Sequence, residues 1–513
     1  MNQPPLPIAT RRLMTFFVMA AAIMNQVDTT IANVALPHIQ GSTSASREQI
    51  TWVLTSYIVA LAIFTPLTGW LAGRFGRKRV VLISIFFFTL TSGLCGAATN
   101  LNELIVFRVF QGIAGAALVP MSQATLLDAY PPEEHGNAMA VFGLAAVTGP
   151  LVGPLAGGWL TEHMSWRWCF FINLPIGIMA WVGLTATMPD YPGKKAARLD
   201  FLGFALLALA IGALQLLFDR GQVQDWFSST EIWVETLLAG CAFYLFVVHS
   251  LTTRHPFVSP AVFTDRNFVI CSIVGFFLGV LIYSPMSLLP EMLSNLFGYP
   301  IMDVGLVMAP RGLGVLIMML AMGRLINRVD PRLLIGFGMI LSAYAMWHLS
   351  HMTLQSSGWI VITTGIIQGM GSSAIFVPLS MMTFTTLPAH LRNEGAAINT
   401  LLRSYGGAAG IALVQVLIYR NEAAVQSRLT EGVRPDNPVV QAALPNADFT
   451  SPASVAGMEH ELVRQATMVS YINAYWVLSI IGILACAMVF LLRRPRRIDA
   501  SADTLAAEAM AAE

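Results

Sequence analysis

Asp28 stands inside a long apolar stretch, in a turn made polar by Asn25, Gln26, Thr29 and Asn33. Low dielectric favours the neutral acid unless a cation lies close, so a carboxyl there suits reversible protonation near neutral pH. Asn25 and Thr29 are four residues apart, as are Thr29 and Asn33, so they share a helix face. Arg108 stands in another apolar stretch, in the string Arg108-Val109-Phe110-Gln111-Gly112. A guanidinium is hard to deprotonate and acts as a fixed charge, able to attract a carboxylate or tune a nearby proton site. Asp28 and Arg108 are therefore the expected proton-coupling residues. The competing readings are structural: an Asp that hydrogen-bonds two helices together, and an Arg anchored to carbonyls. Arg311 and Arg403 are cations within later apolar stretches. With Gln26, Asn33 and Gln111 they are expected to line a substrate cavity, and the arginines would favour anions if they face it.

Other chemistries lack their residues. The sequence has no GxxxxGK[ST], no HExxH and no GxSxG. No enzyme activity and no cofactor are expected, and work against a gradient would draw on protons. One proton crossing 100 mV is worth about 2.3 kcal/mol. The five cysteines, Cys95, Cys169, Cys241, Cys271 and Cys486, all lie in apolar stretches without CxxC spacing, so neither a disulfide framework nor a metal site is expected. His348 and His351 share a helical face but lack a third ligand.

The elements that must position these groups are membrane spans. The chain has 513 residues, 56% hydrophobic and only 11% charged, with a mean hydropathy of +0.66. A soluble domain is about 25% charged. A net charge of +1 leaves no basic excess for nucleic acid. Fourteen apolar segments are long enough to span: 13–36, 50–72, 79–98, 102–127, 137–160, 167–188, 200–219, 231–251, 267–289, 302–326, 332–351, 357–386, 394–419 and 468–492. They are continuous runs, which excludes a β-barrel. The first, behind Arg11 and Arg12, is too long and polar for a cleaved signal and is read as an uncleaved span. With the N-terminus inside, nineteen of the 29 Lys and Arg fall on the cytoplasmic side. The positive-inside rule then places both termini in the cytoplasm. The polar segment 420–467 is expected to be the one sizeable outer loop, and 498–513 a cytoplasmic tail.

Two strings look conformational. Gly149, Pro150, Gly153, Pro154, Gly157 and Gly158 fall in the fifth span. Glycines four apart let a neighbouring backbone approach, and the prolines delete helix hydrogen bonds. Gly69 to Arg79 is a tight basic loop in which Gly69, Arg74, Gly76 and Arg77 are the marked positions, with Asp128 a candidate partner acid. A similar glycine and basic turn recurs at Gly323 to Arg332, which suggests two related halves. The expected division is a six-helix bundle over 1–190, two inserted helices over 191–262 and a second six-helix bundle over 263–497.

Together these strings resemble the major facilitator superfamily and, within it, the fourteen-helix drug:proton antiporter family. Asp28-Thr29-Thr30-Ile31-Ala32-Asn33-Val34-Ala35-Leu36-Pro37 looks like its first-span signature. Gly69 to Arg79, Arg108 to Gly112 and Gly149 to Gly158 look like its loop, fourth-span and antiporter motifs, and Trp166-Arg167-Trp168 through Ile172-Asn173-Leu174-Pro175-Ile176-Gly177 also fits. Leu217-Phe218-Asp219-Arg220-Gly221 with Asp225-Trp226-Phe227-Ser228-Ser229 is similar to the EmrB-like branch. The loop departs from the family at Gly73, where Asp is usual. The resemblance implies a helical bundle with a central cavity and rocking alternating access. It implies efflux of hydrophobic or amphipathic compounds in exchange for protons. It also implies an inner-membrane location, a periplasmic adaptor and an outer-membrane channel. The alternatives are a narrow exporter of an anionic metabolite, such as a fatty or aromatic acid, and a non-transporting membrane sensor.

Overall fold

The structure, a computed structural model, describes residues 7–493 apart from 132–133, 191–198, 255, 327, 389–390, 435, 438–439, 441–448 and 450. The expected tail 498–513 lies outside the described residues. The described residues form helices and no strand. In chain order these are α1 (Ile8–Thr43), α2 (Arg47–Phe64), α3 (Leu67–Phe75), α4 (Arg77–Ala97), α5 (Leu101–Gly115), α6 (Leu118–Ala129), α7 (His135–His163), α8 (Trp168–Phe171) and α9 (Asn173–Thr187). They continue as α10 (Phe201–Arg220), α11 (Thr230–Thr252), α12 (Ala261–Thr264), α13 (Arg266–Asn295), α14 (Ile301–Met308), α15 (Arg311–Leu325), α16 (Pro331–Leu349), α17 (Trp359–Thr385), α18 (Arg392–Gly432) and α19 (Pro452–Met488).

Among the described residues twelve helices are long and apolar enough to cross a membrane, thirteen when α2 and α3 are taken as one span bent by 54°. Fourteen were expected. The segment outside the count is 137–160, which forms the continuous helix α7, several of whose side chains lie outside the described residues. The breaks have local causes. Pro66 separates α2 from α3, and Pro310 separates α14 from α15. Each proline lacks the N–H that would continue the ladder.

The expected outer loop 420–467 is corrected more sharply. α18 runs on to Gly432 and α19 begins at Pro452, so most of the expected loop is helix. Residues 420–432 are rich in Ala, Glu, Gln and Arg, good helix formers that a search for apolar runs cannot register. At about 1.5 Å per residue α18 is twice as long as a bilayer core is thick. The two projections are tied where Thr467 Oγ1 donates to Glu422 Oε1 at 2.5 Å.

One packing plan occurs twice. α1 packs on α7 and α9, α2 on α5, and α4 on α5 and α9. In the same order of spans, α13 packs on α18 and α19, α15 on α17, and α16 on α17 and α19. The two sets meet where α7 lies against α14, α15 and α17, with Phe142 stacked on Phe376 at 6.0 Å between ring centres. They meet again where α3 and α6 lie against α18. α10 pairs with α11 and bridges α2 and α18, and Tyr405 Oη donates to Ile211 O at 2.7 Å.

Asp200 caps α10 and fixes this inserted pair. Its carboxylate accepts from Gly203 N at 2.9 Å, Phe257 N at 3.0 Å and His249 Nε2 at 2.9 Å. Burial alone would raise this carboxyl, but the donors outweigh it and hold it below the ordinary range. The stabilisation is then full above the unfolded value of about 4 and is lost as pH falls through the lower folded value. Asp200→Ala should lower stability by about 2 kcal/mol at neutral pH. Thermal unfolding in detergent checks this, and the gap between wild type and variant should close in acid. A gap that is the same at pH 7 and at about pH 3 would count against the assignment.

Candidate functional site

Five helices bring polar groups to one buried point. Asp28 comes from α1, Arg108 and Gln111 from α5, Asn173 from the start of α9, Ser92 from α4, and the Val53 carbonyl from α2. Arg108 Nη1 donates to Asp28 Oδ2 at 2.7 Å. Gln111 Nε2 and Asn173 Nδ2 donate to Asp28 Oδ1 at 2.9 and 2.8 Å. Arg108 also donates through Nε to Val53 O at 3.0 Å and through Nη1 to Gln111 Oε1 at 3.0 Å. The Tyr57 ring lies 4.0 Å from its Cζ. Asn173 Nδ2 further donates to Ser92 Oγ at 3.0 Å, and Ser92 donates to Phe170 O at 2.9 Å. Asp28, Arg108, Gln111 and Asn173 are all 0% exposed, so the carboxylate is sealed from solvent in this conformation.

That geometry can do one thing well. Protonating Asp28 cancels the charge that holds Arg108 and leaves a guanidinium buried without a counter-charge. Breaking a buried pair in this way costs about 3–5 kcal/mol. Proton occupancy at Asp28 is thereby linked to the packing of every helix that contributes a donor.

The expected cavity residues divide. Gln26, Arg311 and Arg403 line one small void together with Tyr283, Ser372 and Phe376. Its volume is about 30 Å³, room for water rather than for a drug-sized ligand. Gln111 is instead on Asp28, and Asn33 is exposed and does not line the void. Gln26 and Asp28 are two residues apart, so they look out from different faces of α1. One face of α1 therefore meets the ion pair and another the void.

The glycines of α7 set the distance to α1. A Cβ on Gly149 would collide with Gln26, and one on Gly153 with Thr30 Oγ1. A Cβ on Gly157 would lie 2.9 Å from Ile31 Cγ1. Thr30 Oγ1 donates to Gly149 O at 3.3 Å across the seam. Gly158 is buried, and the side chains of Pro150 and Pro154 lie outside the described residues.

The basic loop is also placed. Gly69 and Arg74 lie on α3, and Arg74 sits over the Trp70 ring at 5.7 Å. Gly76 turns the chain with φ +86°, a conformation that favours glycine. Arg77 then opens α4, pairs with Asp128 at the end of α6 and donates to Ala124 O at 3.0 Å. That pair joins α4 to α6 and does not cross to α18. A Cβ on Gly73 would meet nothing within 4 Å.

The sequence reading gave Asn173 and Ser92 no role at the site. Asn173 was visible as an amide inside an apolar segment. Ser92 gave no signal, since a small hydroxyl is common in membrane helices.

Arg108→Ala should destabilise the protein by about 3–5 kcal/mol, because Asp28 then stays buried and unpaired. Arg108→Lys should lose less, since it keeps the charge while losing the forked contacts to Val53 and Gln111. Unfolding midpoints in detergent rank the three proteins, and equal midpoints would refute the pairing argument. Gly153→Val should push α7 off α1 and lower the midpoint, whereas Gly153→Ala should lower it less. A valine variant with the wild-type midpoint would reduce the seam to incidental packing.

Comparisons with known proteins agree with this architecture. The sequence profile of the Major Facilitator Superfamily matches residues 18–411. Multidrug export protein EmrB of Haemophilus influenzae is 34% identical over 504 residues, 96% of this chain and 97% of that protein. Fatty acid resistance protein FarB of Neisseria gonorrhoeae is 32% identical over 500 residues, 96% of this chain and 98% of that protein. The solved structure of the proton:xylose symporter XylE superposes with a TM-score of 0.62 at 14% identity, covering 94% of this chain and 95% of that one, and so shares its fold. The chain, a multi-span membrane protein, belongs to the major facilitator superfamily.

Proposed function

We propose that this chain is a proton-coupled exporter of hydrophobic or amphipathic compounds, working by alternating access. The observation that carries the reading is the sealed Asp28–Arg108 pair on the helix that also lines the void. Residues 1–190 and 263–497 are the two rocking halves, and 191–262 is the insertion between them. The doubled packing plan supports that division. Asp28 takes a proton from the outer side when its cluster opens, and Arg108 loses its counter-charge. The helices then rearrange, and the proton leaves to the cytoplasm while substrate moves outward. The seam of Gly149, Gly153 and Gly157 lets α7 slide against α1, and the Gly69–Arg77 turn with Asp128 braces the cytoplasmic ends. The names of the full-length relatives, multidrug export and fatty acid resistance, support outward transport.

The distribution of Lys and Arg supports a plasma-membrane protein with both termini cytoplasmic. The proposed setting is the inner membrane of a double-membrane cell. There a periplasmic adaptor and an outer-membrane channel carry substrate onward. The helical projections of α18 and α19 on the outer side are the proposed place for the adaptor.

Inverted vesicles with an acid interior test the coupling. Adding a transported compound should collapse the gradient in wild type and not in Asp28→Asn at equal membrane content. Collapse by the Asn variant at the wild-type rate would remove Asp28 as proton carrier. No collapse by any of a panel of hydrophobic cations, anions and weak acids, in folded protein, would remove the export reading.

A further inference from the structure

Arg108 shows what an anchored intramembrane arginine looks like here: a carboxylate, an amide and a carbonyl accept from it. Arg311 and Arg403 are different. They are 6% and 9% exposed, and among the described residues neither makes an ion pair or a side-chain hydrogen bond. Arg311 Nε and Nη2 are buried donors without a partner; Arg108 leaves one such donor, Nη2, but its other nitrogens are paired. Arg403 has the face of Phe376, 5.1 Å from its Cζ, and Tyr283 on the wall of the void interacts electrostatically with both arginines. Both line the same void, and among the described residues no carboxylate lines it with them.

Their backbones are held tightly although their side chains are not paired. Gly369 of α17 has no Cβ where one would strike Arg311 O. Gly279 of α13 has none where one would strike Arg403 O. Two cations are thus fixed at one place from two helices, α15 and α18. Buried charges are ordinarily paired, and a guanidinium matches a carboxylate by two parallel hydrogen bonds. Around the arginines the void is lined by Ile282, Met286, Met319 and Phe376, apolar groups that suit a hydrocarbon or aromatic body.

We propose that Arg311 and Arg403 form an anion subsite and that the transported compounds are amphipathic organic anions, their carboxylate between the guanidinium groups and their apolar body against Met286, Met319 and Phe376. The proposal rests on the export reading and narrows it. The void is too small for such a body in this conformation, so binding belongs to a more open one. Gln26 supplies α1's own contact with the bound compound, two residues from Asp28.

The test uses the full chain in lipid nanodiscs and three probes of one shape: 2-naphthoate, 2-naphthylmethanol and 2-naphthylmethylammonium. Naphthoate should bind at least about tenfold more tightly than the other two, a difference of about 1.4 kcal/mol. Arg311→Gln and Arg403→Gln should each erase most of that preference, and Arg311→Lys should keep part of it. A second readout separates this from a structural role. Because among the described residues neither arginine has an ion pair or a side-chain hydrogen bond to lose, the Gln variants should unfold close to the wild-type temperature or above it. The proposal is overturned by equal or tighter binding of the alcohol or the ammonium. It is overturned too by a charge preference that survives in the double Gln variant, or by Gln variants that unfold well below wild type. The vesicle assay keeps the two readings apart. Collapse beyond that seen in Asp28→Asn vesicles by the ammonium probe, and none beyond it by naphthoate, would leave export standing and end the anion subsite. Arginine-dependent naphthoate binding with no collapse by any compound would do the reverse.

Discussion

A fully buried ion pair is the constraint around which the first set of helices is built. Taking Asp28 and Arg108 out of water is expensive, and their attraction repays it only if the remaining lone pairs and N–H groups are met. This demands donors and acceptors from several directions. α5 supplies two side chains, α9 an amide, α4 a hydroxyl and α2 a carbonyl. The apolar residues make membrane helices. The ion pair decides which of them must meet, and at what height.

The geometry of α1 carries that constraint outward. Residues 26 and 30 are four apart and share one face of α1, whereas residue 28, about 200° round from residue 26, looks out from the other. Asp28 faces the ion pair, Thr30 the carbonyl of Gly149 on α7, and Gln26 the void. A shift of α1 that opens the ion pair therefore also moves the α7 seam and the wall of the void. The second set repeats the device without the ion pair. Gly279 admits the Arg403 carbonyl, and a Cβ on Gly406 would strike the carbonyl of Phe276, so α13 and α18 approach as closely as α1 and α7 do.

Much of this was legible in the sequence, and what was not has physical reasons. Asp28 and Arg108 stood out because a charge in an apolar run is costly and so rarely accidental. Their partners did not, because the identity of a neighbour is a tertiary fact. Gln111 could have been placed correctly: three residues from Arg108 on one helix, it must share that residue's face. Asn33 shows the limit of the same rule, for it is exposed although it lies one turn beyond Thr29. The breaks at Pro66 and Pro310 follow from missing N–H groups. The helical projections of α18 and α19 were missed because hydropathy measures the solvent a helix can bear, not whether a polar helix forms. The Gly406, Gly407 and Gly410 seam was missed because it lacks the prolines that make the α7 string conspicuous.

The two sets of helices thus share a packing plan and differ in charge. In the first, a carboxylate neutralises its guanidinium, so the cluster is electrically quiet until a proton arrives. In the second, two guanidinium groups face a void with no carboxylate among the described residues of its wall. A proton binding at Asp28 raises the charge of the first set by one, and an anion binding between Arg311 and Arg403 lowers the charge of the second by one. Each event by itself leaves the interior less neutral or less empty than before, and the two act on opposite sides of α1. On the proposed reading, coupling needs no direct contact between proton and substrate. It needs only that one helix cannot satisfy the ion pair and the occupied void in the same position, and α1, held to α7 by glycines that permit sliding, is the helix that touches both.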